Sequence, residues 1–532
     1  MPIESLSLNT SYWENIKVGE PDLDFINNFL LDIETPQTAQ ELLQALVAER
    51  IRIEREKLEN PVQPEGKIYS PKEHYEVGQS IIFPASNWQK GIVKSIRAGI
   101  NPEESSFEVM QIAFTDGESK QFASGLENHK LNDPIAINQN DPGLDANIVL
   151  QTYGNILLKQ LGNALESKPD LVRIAGRWFP RSLLVDVNIG HLNLAEAVLD
   201  MAGGGPLSTK DILDQIELPT DVNLKLTEFS LNLAFQEDNR FDEVGSIGET
   251  AWFLKRLEPA GVKEIPIYLQ YNREILEIPE GEELINQLES EVCDELEMPA
   301  CQDDNTEEIT TALLFPHWRS GTLPLSSRMT QFFPTAYESP RIRFIFIDGS
   351  NQTTFPGWVV RETRYVYGLS DFYQTHGLMP GSLIHIHRGN VPGEVIVSVE
   401  KRKQNREWIR TVLIGADGGI VFAMLKQLVN ATFDERMAIA IPDTDALDQF
   451  WLKSNGKKKP LETVVYSLMR ELAKLNPQGH VHAQELYAVV NLIQRCPPSP
   501  ILLLLTQKAW SNHLGDLYFR LDEKVQEVKA YD

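Results

Sequence analysis

Apolar residues recur at two different spacings along the chain, and the spacing changes several times. Between residues 38 and 60, Leu42, Leu46 and Ile53 lie near one face of a predicted amphipathic helix, with Glu and Arg on the other face. After Pro61, short runs of alternating apolar and polar residues are separated by Gly, Asn, Pro and Asp, which is typical of strands. The pattern therefore predicts an α+β protein with several domains.

Three segments share a glycine followed within a few residues by an aromatic pair. They read VRIAGRWF at 172–179, VGSIGETAWF at 244–253 and NHLGDLYF at 512–519. Each follows apolar residues at helical spacing, and each alternates around its glycine as a hairpin does. We interpret the three as ribbons that close three winged-helix units, each aromatic pair anchoring its ribbon to its own helices. The alternative is that such hairpins recur by chance.

The second of these units, residues 191–260, has the clearest pattern. The helix HLNLAEAVLDMA stops at three glycines, a second helix starts after Ser208 as N-cap, and VNLKLTEFSLNLAFQED predicts a third. This stretch resembles the HARE-HTH family of winged helices, which includes the N-terminal domain of the delta subunit of bacterial RNA polymerase. The resemblance implies a bacterial, transcription-associated protein, and a winged helix of this kind can dock on polymerase instead of DNA.

Two stretches predict all-β modules. Residues 61–135 hold four or five short strands, a pattern similar to that of an SH3-like or Tudor barrel. Such barrels bind peptides, nucleic acid or neighbouring domains. Lys90, Lys94 and Arg97 form a modest basic strand there, which is equally consistent with a solvated strand face.

Residues 311–426 predict the second β module. A strand followed by LSDFYQTHGLMPGSLIHIHRG resembles the core of the plant B-three-type DNA-binding pseudobarrel and of its bacterial relatives in restriction enzymes. Ser382 stands where that motif usually has aspartate, so the resemblance departs at a typical position. It implies a DNA-binding barrel.

The remaining segments complete the predicted domain order. Residues 1–60 form a helical segment, 144–190 the first winged-helix-like unit and 427–532 a C-terminal one. Residues 272–310 have dense negative charge and few aromatics, a composition that buries little surface and predicts a mostly disordered linker. The alternative is an acidic mimic covering a basic surface of this chain or of a partner.

Charge is distributed unevenly over the 532 residues. The net charge of −27 argues against nucleic acid as a partner for the chain as a whole. Residues 272–308 carry 14 Asp and Glu against one Arg, however, whereas residues 311–426 carry 13 Lys and Arg against 8 Asp and Glu. The local net charges of −13 and +5 mean that the total does not exclude DNA from the second β module.

The remaining composition predicts a cytoplasmic protein. Three cysteines without a CxxC pair fit a reducing compartment. The sequence shows no signal peptide, and its apolar runs are too short to cross a membrane.

The strongest basic feature is KRKQNR at 401–406, which we predict at a hairpin tip that reaches a phosphate backbone, with amides available to base edges. A solvated hairpin is the alternative. The candidate DNA-binding residues are Arg361, Arg364, Arg388, Lys401, Arg402, Lys403, Gln404, Asn405, Arg406 and Arg410.

The third helix of the second unit argues against base reading, since Lys225 is its only lysine and its end is acidic. Phosphate-loop, nucleophile-elbow and HExxH motifs do not occur in the sequence. The pairs His385–His387 and His480–His482 lack supporting ligands at metal-site spacing. We therefore expect no catalysis, no cofactor and no metal.

These observations favour a non-enzymatic DNA-binding or transcription-associated protein, in which winged helices position a basic pseudobarrel. Two alternatives stay open. One is a protein–protein adaptor on RNA polymerase or another complex. The other is a nuclease or specificity subunit of a restriction or defence system, which would require Asp348 or Glu400 for metal-dependent turnover.

Overall fold

The computed structural model describes residues 12–59, 67–83, 89–101, 106–114, 119–129, 132, 141–216, 218, 223–271, 283–292, 294–297, 306–415, 419–456 and 459–522. The chain forms two compact units, residues 1–184 and 185–532. Helices and several sheets occur in both, so the α+β prediction is confirmed.

The first unit combines long helices with a five-stranded sheet. Its elements in chain order are α1 Tyr12–Asn15, α2 Glu20–Ile33, β1 Gln37–Thr38, α3 Ala39–Glu59, β2 Lys67–Ile68, β3 Ser80–Phe83, β4 Gln89–Ala98, β5 Glu108–Phe114, β6 Ser119–Ser124, α4 Ala146–Glu166, β7 Leu171–Ile174 and β8 Arg177–Pro180. Strands β2 to β6 lie in sequence order, with β2–β3 parallel and the other pairs antiparallel. Apolar side chains such as Phe83, Met110 and Phe114 form the core of this sheet.

A short strand joins the beginning of the first unit to its end. Gln37 pairs with Trp178 and Thr38 with Arg177, giving a sheet of order β1-β8-β7. Helices α2, α3 and α4 and strands β1, β7 and β8 therefore form one group. In the sequence, the five-stranded sheet is inserted into this group between α3 and α4. The predicted boundary of 144–190 left out β1, α2 and α3, which belong to this group.

The second unit begins with a similar group. Its elements are α5 Ile189–Met201, β9 Leu207–Ser208, α6 Thr209–Leu213, α7 Leu224–Glu237, β10 Phe241–Glu243 and β11 Ala251–Leu254, with the sheet order β10-β11-β9. Ser208 caps α6 as predicted, accepting a hydrogen bond from the backbone of Asp211.

A curled seven-stranded sheet follows. The elements are α8 Ala260–Lys263, α9 Glu283–Val292, β12 Glu308–Ala312, α10 Phe315–Ser320, β13 Thr322–Pro324, β14 Arg341–Asp348, β15 Thr354–Val360, β16 Tyr365–Tyr367, α11 Ser370–Thr375, β17 Leu383–Arg388 and β18 Glu394–Ser398. The strand order is β12-β17-β18-β14-β15-β16-β13, and only β14–β18 is parallel among the pairs within the described residues.

The next two strands form a separate ribbon. Strands β19 Lys401–Ile414 and β20 Ile420–Ala431 form a two-stranded sheet, and Thr411 of β19 also makes an isolated parallel bridge with Ala440. The predicted module at 311–426 is therefore divided between the curled sheet and this ribbon.

The chain ends in a third group like the first two. Its elements are α12 Thr444–Gly456, α13 Leu461–Ala473, β21 His480–His482, α14 Ala483–Val490, α15 Pro498–Gln507, β22 Ser511–Gly515 and β23 Tyr518–Leu521. The sheet order is β21-β23-β22, so all three groups place their last strand between the other two.

The three Gly-aromatic segments do form closing ribbons. Gly176, Gly248 and Gly515 adopt φ values of 75°, 91° and 115°, which favour glycine. The aromatic pair of the second segment differs from the prediction. Trp252 packs into the helices of its own group, whereas Phe253 packs against the curled sheet. Successive side chains of a strand point to opposite faces, so β11 directs these two rings to different surfaces.

The acidic segment is ordered where the structure describes it. Helix α9 buries Leu288 and Val292, and Asp294 and Glu295 are buried beyond its end. The prediction of a mostly disordered linker is wrong for these residues, because their charge is neutralised inside unit two. The rest of the 272–310 prediction lies largely outside the described residues, including Cys301.

Candidate nucleic-acid interface

The basic run lies at the base of the β19–β20 ribbon. Lys401 pairs with Ala431 and Asn405 with Val429, with a β-bulge between the two pairs. At the other end of both strands, Gly415 donates to the Gly419 carbonyl at 2.8 Å. The prediction of a hairpin tip is therefore wrong: the register places these cations where the strands start and end.

One face of this ribbon combines cations with an exposed indole. Arg406 and Trp408 are two apart on β19, and Leu428 and Lys426 lie directly opposite them on β20. The indole of Trp408 is 61% exposed, and the Lys426 ammonium lies 5.4 Å from its ring centre. An exposed aromatic ring with a cation beside it is a favourable stacking surface for a nucleic-acid base.

Further cations surround this face. Lys401 and Asn405 are exposed, and the guanidinium of Arg402 lies 5.3 Å from the ring centre of Phe433 and 3.6 Å from the Glu407 carboxylate. Residues 400–431 carry six Lys and Arg against three Asp and Glu. The side chains of Lys403 and Gln404 lie outside the described residues. We call Arg406, Trp408 and Lys426 the ribbon face, with Lys401 and Arg402 as flanking cations at its base. Arg402 contacts Glu407, which points away from Trp408.

Arg410 does not belong to this surface. It is buried, donating to the Arg436 carbonyl at 2.9 Å and to Glu485 at 2.8 Å. Burial lowers the pKa of its guanidinium below the ordinary value. The side chain fastens the ribbon to the C-terminal group, so it is not available to a phosphate.

The other predicted arginines lie on the curled sheet and are engaged locally. Arg361 and Arg364 occupy the turn between β15 and β16. Arg361 donates to the Ser339 carbonyl at 2.8 Å. Arg364 is exposed and has a φ of 58°.

Arg388 lies elsewhere on the same sheet. It ends β17 and donates twice to the Gln331 carbonyl, at 3.0 and 2.6 Å. Reading across the strand pairs, its position corresponds to Phe355 on β15, six residues before Arg361. Six residues of strand span about 20 Å. The register therefore does not gather Arg361 and Arg388 into one patch.

Sequence reasoning missed Trp408 and Lys426. The signal was present in the alternation Arg406–Trp408 along one strand, which places both side chains on one face. Lys426 could be added only with the register of β20, since it lies 18 positions away and opposite Trp408.

Helices α7 and α15, which precede the closing ribbons of the second and third groups, bury much of their surface. Seven residues of α7 are buried, and so are the eight from Pro498 to Leu505 on α15. Helix α15 packs against α9 as well as its own group. Lys225 is exposed at the start of α7, and the expectation that this helix does not read bases stays a prediction.

One histidine of each pair makes a structural contact. His385 lies 3.0 Å from Glu308, and His482 caps α14, with burial lowering its pKa to about 4. Asp348 is buried at 2.8 Å from His376. Within the described ranges, no group of three or more His, Cys, Asp or Glu could hold a metal ion.

Comparison with known proteins gives no indication of function, so the function is inferred from the geometry. No protein-family model, no curated protein and no solved structure matches the chain. Among the helices that the structure describes, none has both the length and the apolar character to cross a bilayer.

Proposed function

We propose that the protein binds nucleic acid without catalysis, through the ribbon face. The observation that carries this proposal is the exposed Trp408 between Arg406 and Lys426 on one side of a long two-stranded ribbon. Stacking of a base on an aromatic side chain contributes roughly 1–3 kcal/mol, and the neighbouring cations suit phosphates. The face lies in a segment of positive local charge within an acidic chain.

The fold supports the proposal, and binding through the ribbon face does not require a winged-helix group to contact DNA bases. Each of the three groups sets helices before a closing ribbon, which is the layout of a winged helix. We take the second and third groups as scaffold and partner-binding domains, the five-stranded sheet as an SH3-like barrel, and the curled sheet as a B-three-type pseudobarrel. Arg410 then connects the binding ribbon to the C-terminal winged helix.

The test uses the full chain and a salt series. Affinity for duplex and single-stranded DNA is measured for wild type and for the variant Lys401→Gln/Arg402→Gln/Arg406→Gln/Lys426→Gln. A control replaces four other exposed cations, namely Lys225→Gln/Lys263→Gln/Arg470→Gln/Arg520→Gln.

We expect wild-type affinity to fall steeply with salt, and the ribbon variant to lower the slope of log affinity against log salt by up to about four. The control should leave the slope nearly unchanged. Absence of binding at low salt, or equal slopes for the two variants, would overturn the proposal.

The adaptor remains a second candidate because of one apolar surface. On α5, Leu194 and Met201 are seven residues apart and therefore share a face, and Met201 is 82% exposed. This function is tested by mixing the full chain with purified bacterial RNA polymerase. A complex on size-exclusion chromatography that Leu194→Ser/Met201→Ser abolishes, and the ribbon variant does not, would favour it.

A further inference from the structure

Helix α4 presents an exposed face rich in amides. Asn147, Gln151, Asn155 and Lys159 occur at every fourth position, and all four are exposed. At 100° per residue, positions four apart advance by about 40°, so these side chains follow one side of the helix. The opposite side is buried against α3 and includes Leu157.

A second row of small and apolar side chains runs beside the amides. Ile148, Thr152 and Ile156 are all exposed, Ile156 by 60%. Between Asp145 and Glu166 the helix has no carboxylate, in a chain with 76 Asp and Glu. A long face of amides, methyl groups and one lysine is therefore unusual for this protein.

The sequence around this helix is also positive. Residues 147–181 carry five Lys and Arg against two Asp and Glu, a net charge of +3 in a chain of −27. Arg177, on the ribbon that follows α4, is half-exposed and lies 3.6 Å from the Glu41 carboxylate. Arg173 lies 3.2 Å from Glu166. Lys168 lies 2.5 Å from Glu20, so these three cations are paired, and Lys159 supplies the positive charge of the amide face.

These side chains match the chemistry of A·T base pairs in the major groove. The amide of Asn or Gln can accept from N6 and donate to N7 of adenine, and methyl groups contact the C5-methyl of thymine. A helix fits the major groove, and residues in its N-terminal part face the base edges. Asn147, Ile148, Gln151 and Thr152 all lie in the first two turns of α4.

We propose that α4 is a DNA-reading helix that recognises A·T-containing duplex through Asn147, Gln151 and Asn155, with Lys159 on the phosphate backbone. The proposal goes beyond the ribbon face, because α4 lies in the first compact unit and the ribbon in the second. It does not depend on binding by the ribbon.

The contrast with α7 and α15 supports this assignment. All three helices precede a closing ribbon, yet only α4 leaves a complete amide face exposed among the described residues of the three. Asp145 caps α4 by accepting from the backbone of Asn147 and Ile148. That carboxylate makes the helix end unsuitable for a phosphate, so recognition rests on the side chains.

The experiment measures binding of the full chain to short alternating dA-dT and dG-dC duplexes at one fixed salt concentration. The test variant is Asn147→Ala/Gln151→Ala/Asn155→Ala, since alanine favours the helix. The control removes three exposed amides from α2 and α3, namely Asn28→Ala/Gln40→Ala/Gln44→Ala. Far-ultraviolet circular dichroism and thermal melts establish that both variants fold.

A bidentate amide–adenine pair discriminates by roughly 5- to 150-fold. We expect wild type to prefer the dA-dT duplex by at least about fivefold, and the triple variant to lose that preference. The control and the ribbon variant should keep it, and Lys159→Gln should weaken both duplexes equally.

Several results would overturn this inference. Equal affinity of wild type for the two duplexes is one, and an unchanged preference in the folded triple variant is another. Loss of a protein complex in the triple variant, with no change in DNA binding, would assign the face to a protein partner instead. Loss of salt-dependent binding in the ribbon variant bears on the ribbon proposal and not on α4. Either proposal can therefore be refuted without the other.

Discussion

Replacing Arg495 should cause a large loss of stability, because its charge is buried between two carboxylates. The guanidinium is inaccessible to solvent and donates to Asp294 at 2.6 Å and to Glu295 at 2.9 Å. Tyr487 also donates to Asp294 at 2.5 Å, and His317 lies 3.1 Å from Glu295. The network connects the acidic segment to the C-terminal group, about 200 residues further along the chain.

The magnitude follows from what the substitution leaves behind. Burial by itself raises the pKa of Glu295, but Arg495 and His317 outweigh it and hold that pKa below its ordinary value. Arg495→Met removes the main cation and leaves both carboxylates buried. Breaking a buried ion pair from one side costs about 3–5 kcal/mol, and we expect a loss in that range.

The assay is urea unfolding of the full chain, monitored by circular dichroism and by tryptophan fluorescence. The matched control is Arg470→Met on α13, an exposed arginine whose loss should change the free energy of unfolding by less than about 0.5 kcal/mol. The charge-compensated variant Arg495→Met/Asp294→Asn/Glu295→Gln should recover most of the loss, because uncharged amides are less costly to bury than unpaired carboxylates.

Two results would refute this reasoning. A loss below about 1 kcal/mol for Arg495→Met would mean that the carboxylates are solvated or separate from the C-terminal group. Failure of the triple variant to recover stability would mean that Arg495 contributes by packing and not by charge.

Three further predictions concern other buried polar groups. Burial raises the pKa of Glu243 to about 7 and of Glu258 to about 8, so the folded protein holds protons that the unfolded chain loses above pH 4.5. The free energy of unfolding should therefore fall as pH rises from 4.5 towards 8. Glu258→Gln should flatten that pH dependence in thermal melts. Arg406→Gln should weaken DNA binding with little change in melting temperature, whereas Arg410→Gln should lower the melting temperature by leaving its partners unpaired. Trp252→Phe should cost about 1–2 kcal/mol in urea unfolding, because the buried indole N–H donates to Asn232 at 2.9 Å.

Much of the local structure could be read from the sequence. The 3.6-residue spacing around Leu42 and the alternation in the β segments predicted helices and strands that the structure contains. Gly176, Gly248 and Gly515 marked ribbon turns, because a positive φ is a local requirement that glycine meets without strain. Ser208 likewise marked a helix start through a contact three residues away.

The candidate sites depend on contacts between residues that are far apart in the sequence. Strand β1 has two residues and no pattern, yet it completes a sheet with strands about 140 residues away. Asp294 and Glu295 look like part of a solvated acidic run until Arg495 is placed beside them.

The same distinction separates the cations of the ribbon. Arg406 and Arg410 occupy the same face of β19, and the sequence alone treats them alike. Only the tertiary structure buries Arg410 against Glu485 and leaves Arg406 exposed beside Trp408. Periodicity and turn chemistry act over a few residues, so the sequence by itself determined the helices and strands. Burial, strand register and charge partners depend on distant segments that pack together, so only the fold decided which charges remain exposed.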